Sequence, residues 1–378
     1  MDKNPLRTIQ DFGQSVWQDD IRRNRILSGE LQRLIEQDGI RGVTSNPAIF
    51  EKAIAASHDY DDDIRTLARQ GRSKTEIYQI LTVKDVQMAA DLFRPLYQRS
   101  DGRHGYVSLE VNPHLAHDVN GTLAEARLLW NALDRPNVMI KVPATEQGLI
   151  CLKQLISEGL NINVTLLFGL GRYREVAEAY ISGLEAAAAA GKPLHRLASV
   201  ASFFLSRIDL WIDPMLTTII DSQRPDAALA KRIFGQVAIA SAKRAYQIYQ
   251  EIYQGERFGS LIPKGARPQR LLWASTSTKE PEFSDVKYVE ALIGPDTVNT
   301  LPCETLNAYR DHGQPAQRLT QDTANALDVL ESLARLDIPI DQVTQELEDQ
   351  GIDKFIKPYD SLMQTLEKAR AAVHPTRP

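Results

Sequence analysis

In Val138-Met-Ile-Lys-Val142 three aliphatic residues alternate with Met139 and Lys141, a period that puts the two sets on opposite faces of a β-strand. The aliphatic face suits packing against helices, so Lys141 is expected to point into a sheet interior, where an unpaired ammonium is costly to desolvate. Burial and nearby cations would both disfavour its charged form and supply the neutral amine that adds to a ketone. A lysine at a strand end paired with a carboxylate is the plainer reading of this strand taken alone. Tyr106-Val111 repeats the pattern, with Val107, Leu109 and Val111 set against Ser108 and Glu110. An inward Glu110 would either pair with Lys141 or carry protons through water. Asp19 ends a Ser15, Trp17, Asp19 face, or else caps a following helix together with Asp20. Asn163 and Thr165 share one face of Ile162-Leu167, which brings two polar groups inward together. Thr44-Ser45-Asn46-Pro47 closes a further apolar run, its local reading being an Asn-Pro turn.

Two stretches carry groups suited to phosphate. Ser202-Phe-Phe-Leu-Ser-Arg207 sets a hydroxyl and a guanidinium just past a strand, where the planar fork of arginine grips a phosphate with two bonds. A salt bridge to Asp209 is the local alternative for Arg207. Ser275-Thr-Ser-Thr-Lys279 follows a later strand, matching the usual position of phosphate sites in barrels. Other motifs fail. Gly169-Leu-Gly171 opens like a dinucleotide fingerprint, but Arg174 stands where the third glycine belongs. His114 and His117 lie near Asp118 without an HExxH or Cys-His array, and Pro113 disfavours a helix carrying both rings. They read as loop or helix-start residues, and no metal site is expected. No GxSxG, P-loop or aromatic-basic patch occurs.

The elements that must position these residues are short apolar or β-branched runs alternating with amphipathic stretches, the pattern of βαβ units around a parallel sheet. The candidate strands are Ser15-Asp19, Ile40-Thr44, Tyr106-Val111, Val138-Val142, Ile162-Leu167, Ala198-Phe203, Leu271-Ser275 and Val298-Leu301. That many strands suit a (β/α)8 barrel, whose sites gather at the carboxyl ends of the strands. Thr122-Leu-Ala-Glu125 reads as a capping box before a helix over Ala126-Leu133. Gly171-Arg-Tyr-Arg174 followed by Glu175-Ala190 reads as a helix closed by Gly191-Lys-Pro193, and Arg257-Arg270 as a loop before a late strand. Helices over Ala316-Arg335, Asp341-Gln350 and Tyr359-Val373 are expected to close the barrel and lean over one end. No repeat or low-complexity tract divides the chain, which reads as a single domain over 1–378.

With 378 residues, 43% of them hydrophobic and 25% charged, the chain suffices for a barrel with insertions. A formal net charge of -5 gives no pull toward nucleic acid or anionic membranes, so phosphate selectivity must come from local cations. The two cysteines, Cys151 and Cys303, suit a reducing, cytoplasmic setting. No apolar run reaches the ~18 residues of a membrane span. Oligomeric state is not legible.

These motifs, taken in order, resemble the transaldolase family. Gly13-Gln-Ser-Val-Trp-Gln-Asp19, Gly42-Val-Thr-Ser-Asn-Pro-Ala-Ile-Phe50 and Val107-Ser-Leu-Glu-Val111 resemble its first three strand motifs. Ile140-Lys-Val-Pro-Ala-Thr-Glu-Gln-Gly148 resembles its Schiff-base strand, and Asn161-Ile-Asn-Val-Thr-Leu-Leu-Phe168 the next. Ser202-Phe-Phe-Leu-Ser-Arg207 and Leu272-Trp-Ala-Ser-Thr-Ser-Thr-Lys279 complete the series, and length and Trp-x-Asp form resemble the long bacterial branch. The resemblance implies a class I aldolase-type (β/α)8 barrel needing no cofactor, with phosphosugar substrates. A dihydroxyacetone unit would pass from sedoheptulose 7-phosphate to glyceraldehyde 3-phosphate in the non-oxidative pentose phosphate pathway. By position it implies Lys141 as the Schiff-base lysine, Asp19 as the acid/base at the C3–C4 bond, and Glu110 with Thr165 as holders of a catalytic water. Asn46, Asn163 and Thr44 would hold substrate hydroxyls, and Ser202 and Arg207 would face the phosphate, with Ser275 and Lys279 beside them. Ser277 departs from the short-chain pattern, which has a second phosphate arginine there. The competing expectations are a barrel aldolase that releases free dihydroxyacetone and a non-catalytic phosphosugar-binding barrel.

Overall fold

The computed structural model describes residues 4–222 and 225–373. Eight strands, β1 (Ser15–Gln18), β2 (Gly42–Val43), β3 (Tyr106–Glu110), β4 (Val138–Pro143), β5 (Ile162–Leu167), β6 (Ser199–Phe204), β7 (Arg270–Ala274) and β8 (Val298–Leu301), pair in chain order into a closed barrel. Every pairing is parallel. Apolar runs bounded by turn residues form these strands because helices cover their outer faces, while alternation carries the intervening polar residues inward. At β2 the barrel centre is filled from β1. A Cβ on Gly42 would stand 2.5 Å from the Trp17 ring and 2.8 Å from the Tyr106 carbonyl oxygen, so only glycine lets the indole lie there.

Strand register sets the site. Glu110 lies opposite Lys141, Lys141 opposite Asn163, and Pro143 opposite Thr165. The ladder continues past the strand ends, where Asp19 N donates to Leu301 O at 2.8 Å and Thr44 N to Gln18 O at 2.9 Å. β5 breaks its alternation after Thr165. The register against β6 shifts between Val164 and Leu167, and Leu166 adopts φ 60°, a conformation a branched side chain rarely takes. The C-terminal helix packs on that leucine: a Cβ on Gly351 would come within 3.0 Å of Leu166 Cδ2.

Several helix boundaries correct the sequence reading. The helix carrying Thr122 runs over Val119–Leu133 and is capped by Asp118, whose side chain accepts from Gly121 N at 3.0 Å. Thr122 and Glu125 therefore make no capping box. Thr122 donates to Leu115 O and Glu125 accepts from Asn112 N, tying the helix to the loop after β3. The helix expected from Gly171 to Ala190 runs over Leu170–Ala189, with Gly169 supplying its extended entry. Arg257-Arg270 is not wholly loop, since it contains the end of a helical turn at Glu256–Gly259 and a 3-10 turn at Ile262–Lys264. Of Ala316-Arg335 only Thr323–Arg335 is helical.

The two last expected helices are one, Ile340–Val373, running through Pro358. An interior proline removes a donor and crowds the preceding turn, at about 3 kcal/mol. Leu347, Ile352, Phe355, Tyr359, Leu362, Met363 and Leu366 are all buried and recur on one face. Each such side chain is worth ~1.5–3 kcal/mol on burial, enough together to hold the helix through the proline. The contact surface is formed by helices Pro47–Ala55, Asp61–Arg69 and Lys74–Arg99. His114 Nε2 adds a 2.8 Å contact to Asp360. Under the same region Arg23 Nε donates to Asp85 Oδ1 at 2.8 Å, Tyr60 OH donates to Asp85 Oδ2 at 2.7 Å, and Arg23 also pairs with Asp63.

Candidate active site

At the carboxyl ends of the strands a cavity of about 200 Å³ is lined by Asp19, Thr44, Asn46, Lys141, Thr165, Ser202, Arg207, Ser275 and Lys279, each expected from the sequence. Phe204, Ala274, Ser277, Thr300, Pro302, Glu304 and Phe355 complete the wall. Lys141 is 4% exposed. Its Nζ donates to Ser45 O at 2.8 Å and lies 3.7 Å from Glu110 Oε2, and the ring of Phe355, from the C-terminal helix, covers it at 5.7 Å. The cations expected beside Lys141 are not its contacts. Glu110 stands opposite it in register, so its immediate charged neighbour is a carboxyl group.

Two carboxyl groups titrate abnormally here. Burial pushes Glu110 up from 4.5 to about 7, the charge of Lys141 opposing and that of Asp19 adding to the rise. Burial likewise raises Asp19, while Lys141 and a hydrogen bond from Thr44 pull it back. Thr44 Oγ1 donates to Asp19 Oδ1 at 2.6 Å and stands 2.7 Å from Thr300 Oγ1. With the Thr44 proton committed to Asp19, Thr300 is the donor to Thr44. Asp19 therefore does not cap a helix; the next one begins at Arg23. Thr44 supports Asp19 before it can serve a substrate. Glu110 Oε2 and Thr165 Oγ1 are buried and accept or donate no hydrogen bond among the described residues, which leaves both free for a small polar guest.

The remaining expected residues divide. Asn46 caps Pro47–Ala55, accepting from Ile49 N at 3.0 Å, and still lines the cavity. Asn163 lies beneath the wall rather than in it: fully buried, it donates to Ser108 Oγ at 3.1 Å and accepts from Ser202 Oγ at 2.7 Å. Arg207 forms no bridge to Asp209, which is taken by Ala238 N, Tyr288 OH and Lys287. Its Nη1 is buried without a partner among the described residues. It lies over Phe204, 5.3 Å from the ring, with burial disfavouring its charge. Ser275 takes φ 53° and contacts Ser206 Oγ at 2.8 Å, which fixes the turn after β7. Lys279 donates to Ser277 Oγ at 2.7 Å. Thr300, Glu304 and Phe355 were not foreseen; only Thr300 had a signal, the inward position of β8. Among the described residues no group of three or more His, Cys, Asp or Glu is placed to hold a metal, and both cysteines are free thiols.

A buried amine on the fourth strand, two carboxyl groups of raised pKa and an unpaired guanidinium define a barrel enzyme of the Schiff-base aldolase class. Comparison with known proteins narrows it. The family model described as Transaldolase/Fructose-6-phosphate aldolase matches residues 16–366. Transaldolase 2 of Nostoc punctiforme is 49% identical over 97% of this chain and 98% of its own length. The transaldolase of Trichodesmium erythraeum is 49% identical over 97% of both chains, and that of Saccharopolyspora erythraea 45% identical over 96% of this one and 97% of its own. The chain belongs to the transaldolase/fructose-6-phosphate aldolase family and is an enzyme.

Proposed function

We propose that this enzyme transfers a dihydroxyacetone unit from sedoheptulose 7-phosphate to glyceraldehyde 3-phosphate through a Schiff base on Lys141, giving erythrose 4-phosphate and fructose 6-phosphate. The Lys141 amine adds to the C2 carbonyl of the ketose. Glu110 and Thr165, acting through a water between them, give the carbinolamine hydroxyl the proton with which it leaves as water. The protonated imine is the electron sink. Asp19 removes the C4 hydroxyl proton, the C3–C4 bond breaks with its electrons moving to the imine nitrogen, and the aldose phosphate departs. The enamine carbon then attacks the acceptor aldehyde, Asp19 returns the proton, and hydrolysis frees Lys141. Asn46 and Ser202 hold substrate hydroxyls in this reading, Asn163 orients Ser202, and Arg207 takes the phosphate with Ser275 and Lys279 nearby.

The observation that carries this proposal is the 4% exposed Lys141 amine in the cavity beside Glu110. Reduction by borohydride with fructose 6-phosphate should add the mass of a reduced three-carbon unit or hexose phosphate to the Lys141 peptide, and Lys141→Ala should abolish labelling. Persistent labelling of that variant would overturn the assignment. Release of free dihydroxyacetone at the same rate with and without an acceptor aldehyde would replace transfer by simple aldol cleavage. No helix among the described residues is long and apolar enough to cross a membrane.

A further inference from the structure

The inward faces that build the catalytic cavity build a second pit at the opposite pole of the barrel. Ser15 opens β1, and Tyr106, Met139, Val200 and Arg270 stand at the amino ends of β3, β4, β6 and β7. All but Ser15 line an open pit of about 460 Å³, larger than the catalytic cavity. The stretch from Ser15 to Asp19 is roughly 13 Å of extended chain, so the two are separate sites.

This pit holds more cationic charge than the fold balances. Arg41, Arg103, Arg267 and Arg270 line it, with Asp296 as the one carboxylate in its wall. Arg267 bonds Asp101 at 2.9 Å. Among the described residues no carboxylate lies within ion-pair distance of Arg41, Arg103 or Arg270. Arg270 instead donates to Ser15 Oγ at 3.0 Å and to Arg103 O at 3.1 Å, and Arg41 Nη1 stands 2.7 Å from His104 Nε2. His104 Nδ1 is 3.3 Å from Ser15 Oγ. Burial, then the charges of Arg41, Arg270 and Arg103, push His104 down to about 3, so the ring is neutral and accepts from Arg41. Arginine does not shed its charge to relieve such crowding. Arg41 and Arg270 are partly desolvated while Arg103 stands exposed at the rim; facing one cavity, these guanidinium groups are a standing cost unless a counter-charge enters, and their planar forks match phosphate oxygens.

We propose that this pit binds a small anion carrying one or more phosphate groups, held by Arg41, Arg103 and Arg270 against a floor of Tyr106, Met139 and Val200. Inorganic pyrophosphate is the probe, titrated calorimetrically into full-length protein carrying Arg207→Gln so that the phosphate contact proposed at the other pole is removed. One saturable site should remain, weakening as salt rises. Adding Arg41→Gln, or the exposed Arg103→Gln, should weaken it at least about tenfold. In phosphate-free buffer Arg41→Gln should melt no lower than its parent, because it removes a repelled charge. Absence of saturable binding in the Arg207→Gln protein would overturn the proposal, as would affinity indifferent to both pit substitutions. Neither result touches borohydride trapping at Lys141.

Discussion

Glu110→Gln is the perturbation whose size the geometry fixes best, since it keeps the side chain's volume and removes only its proton chemistry. Burial of this 7% exposed residue lifts its carboxyl from 4.5 to about 7, against the pull of Lys141. At ~1.4 kcal/mol per unit, the folded protein prefers the protonated form by about 3 kcal/mol more than the unfolded chain does. Because the folded value is the higher one, the native state binds more protons between the two values. Stability from this group is therefore full below about 4.5 and falls as pH rises to about 7. Denaturant titrations from about pH 4 to about pH 8 should show the parent losing about 3 kcal/mol more than the glutamine variant over that range. The same titration governs chemistry. Near pH 7 Glu110 is part acid and part base, suited to moving protons to and from the carbinolamine, a role worth ~10²–10⁴ in rate. Single-turnover formation of the borohydride-trapped adduct should slow by about that factor, and the limb near pH 7 should vanish from its pH profile. A glutamine variant that forms adduct at the parental rate, or keeps the limb, refutes Glu110 as proton carrier. An unflattened stability profile would refute the burial argument itself.

Thr44→Val removes a hydrogen bond that lowers the Asp19 pKa, so the limb that Asp19 contributes to the pH profile of kcat/KM should move to higher pH. The loss of activity, about tenfold for a general base deprived of its partner, should be largest on the acidic side, where Asp19 is no longer ionised. Arg23→Leu strands Asp85, 1% exposed and left with Tyr60 and Lys84 nearby, away from the cavity. A cost of about 3–5 kcal/mol should appear as a lowered urea midpoint, with trapping at Lys141 in the folded fraction unchanged.

The strands were legible because a parallel barrel packs helices on one face of each strand and polar layers on the other, and period two writes that division directly into the sequence. Lys141, Glu110 and Asn163 come from this rule, and the register that sets them side by side follows from barrel closure. Helix ends were less legible. Asp118 outcompetes Thr122 as a cap because its carboxylate reaches Gly121 N while Thr122 turns back to Leu115 O, a choice between two local geometries of similar energy. The merging of the last two helices across Pro358 depends on three other helices offering an apolar surface, and no local rule contains that surface.

What a residue does in the cavity depends further on groups remote in sequence. Arg207 is free for an anion only because Ala238, Lys287 and Tyr288 occupy Asp209; the adjacent-residue salt bridge was reasonable locally and lost to partners from two other segments. Thr44 serves Asp19 because β8 brings Thr300 to its other side. Phe355 covers Lys141 from a helix that reaches the barrel mouth through Gly351, whose missing side chain accommodates Leu166. Leu166 in turn holds a left-handed φ just after Thr165, where β5 leaves its regular ladder. Backbone strain of this kind persists only where packing over-determines it. The C-terminal helix therefore both closes the amine from solvent and holds the end of β5 that presents Thr165, two tasks that one strand motif read alone assigns to nothing.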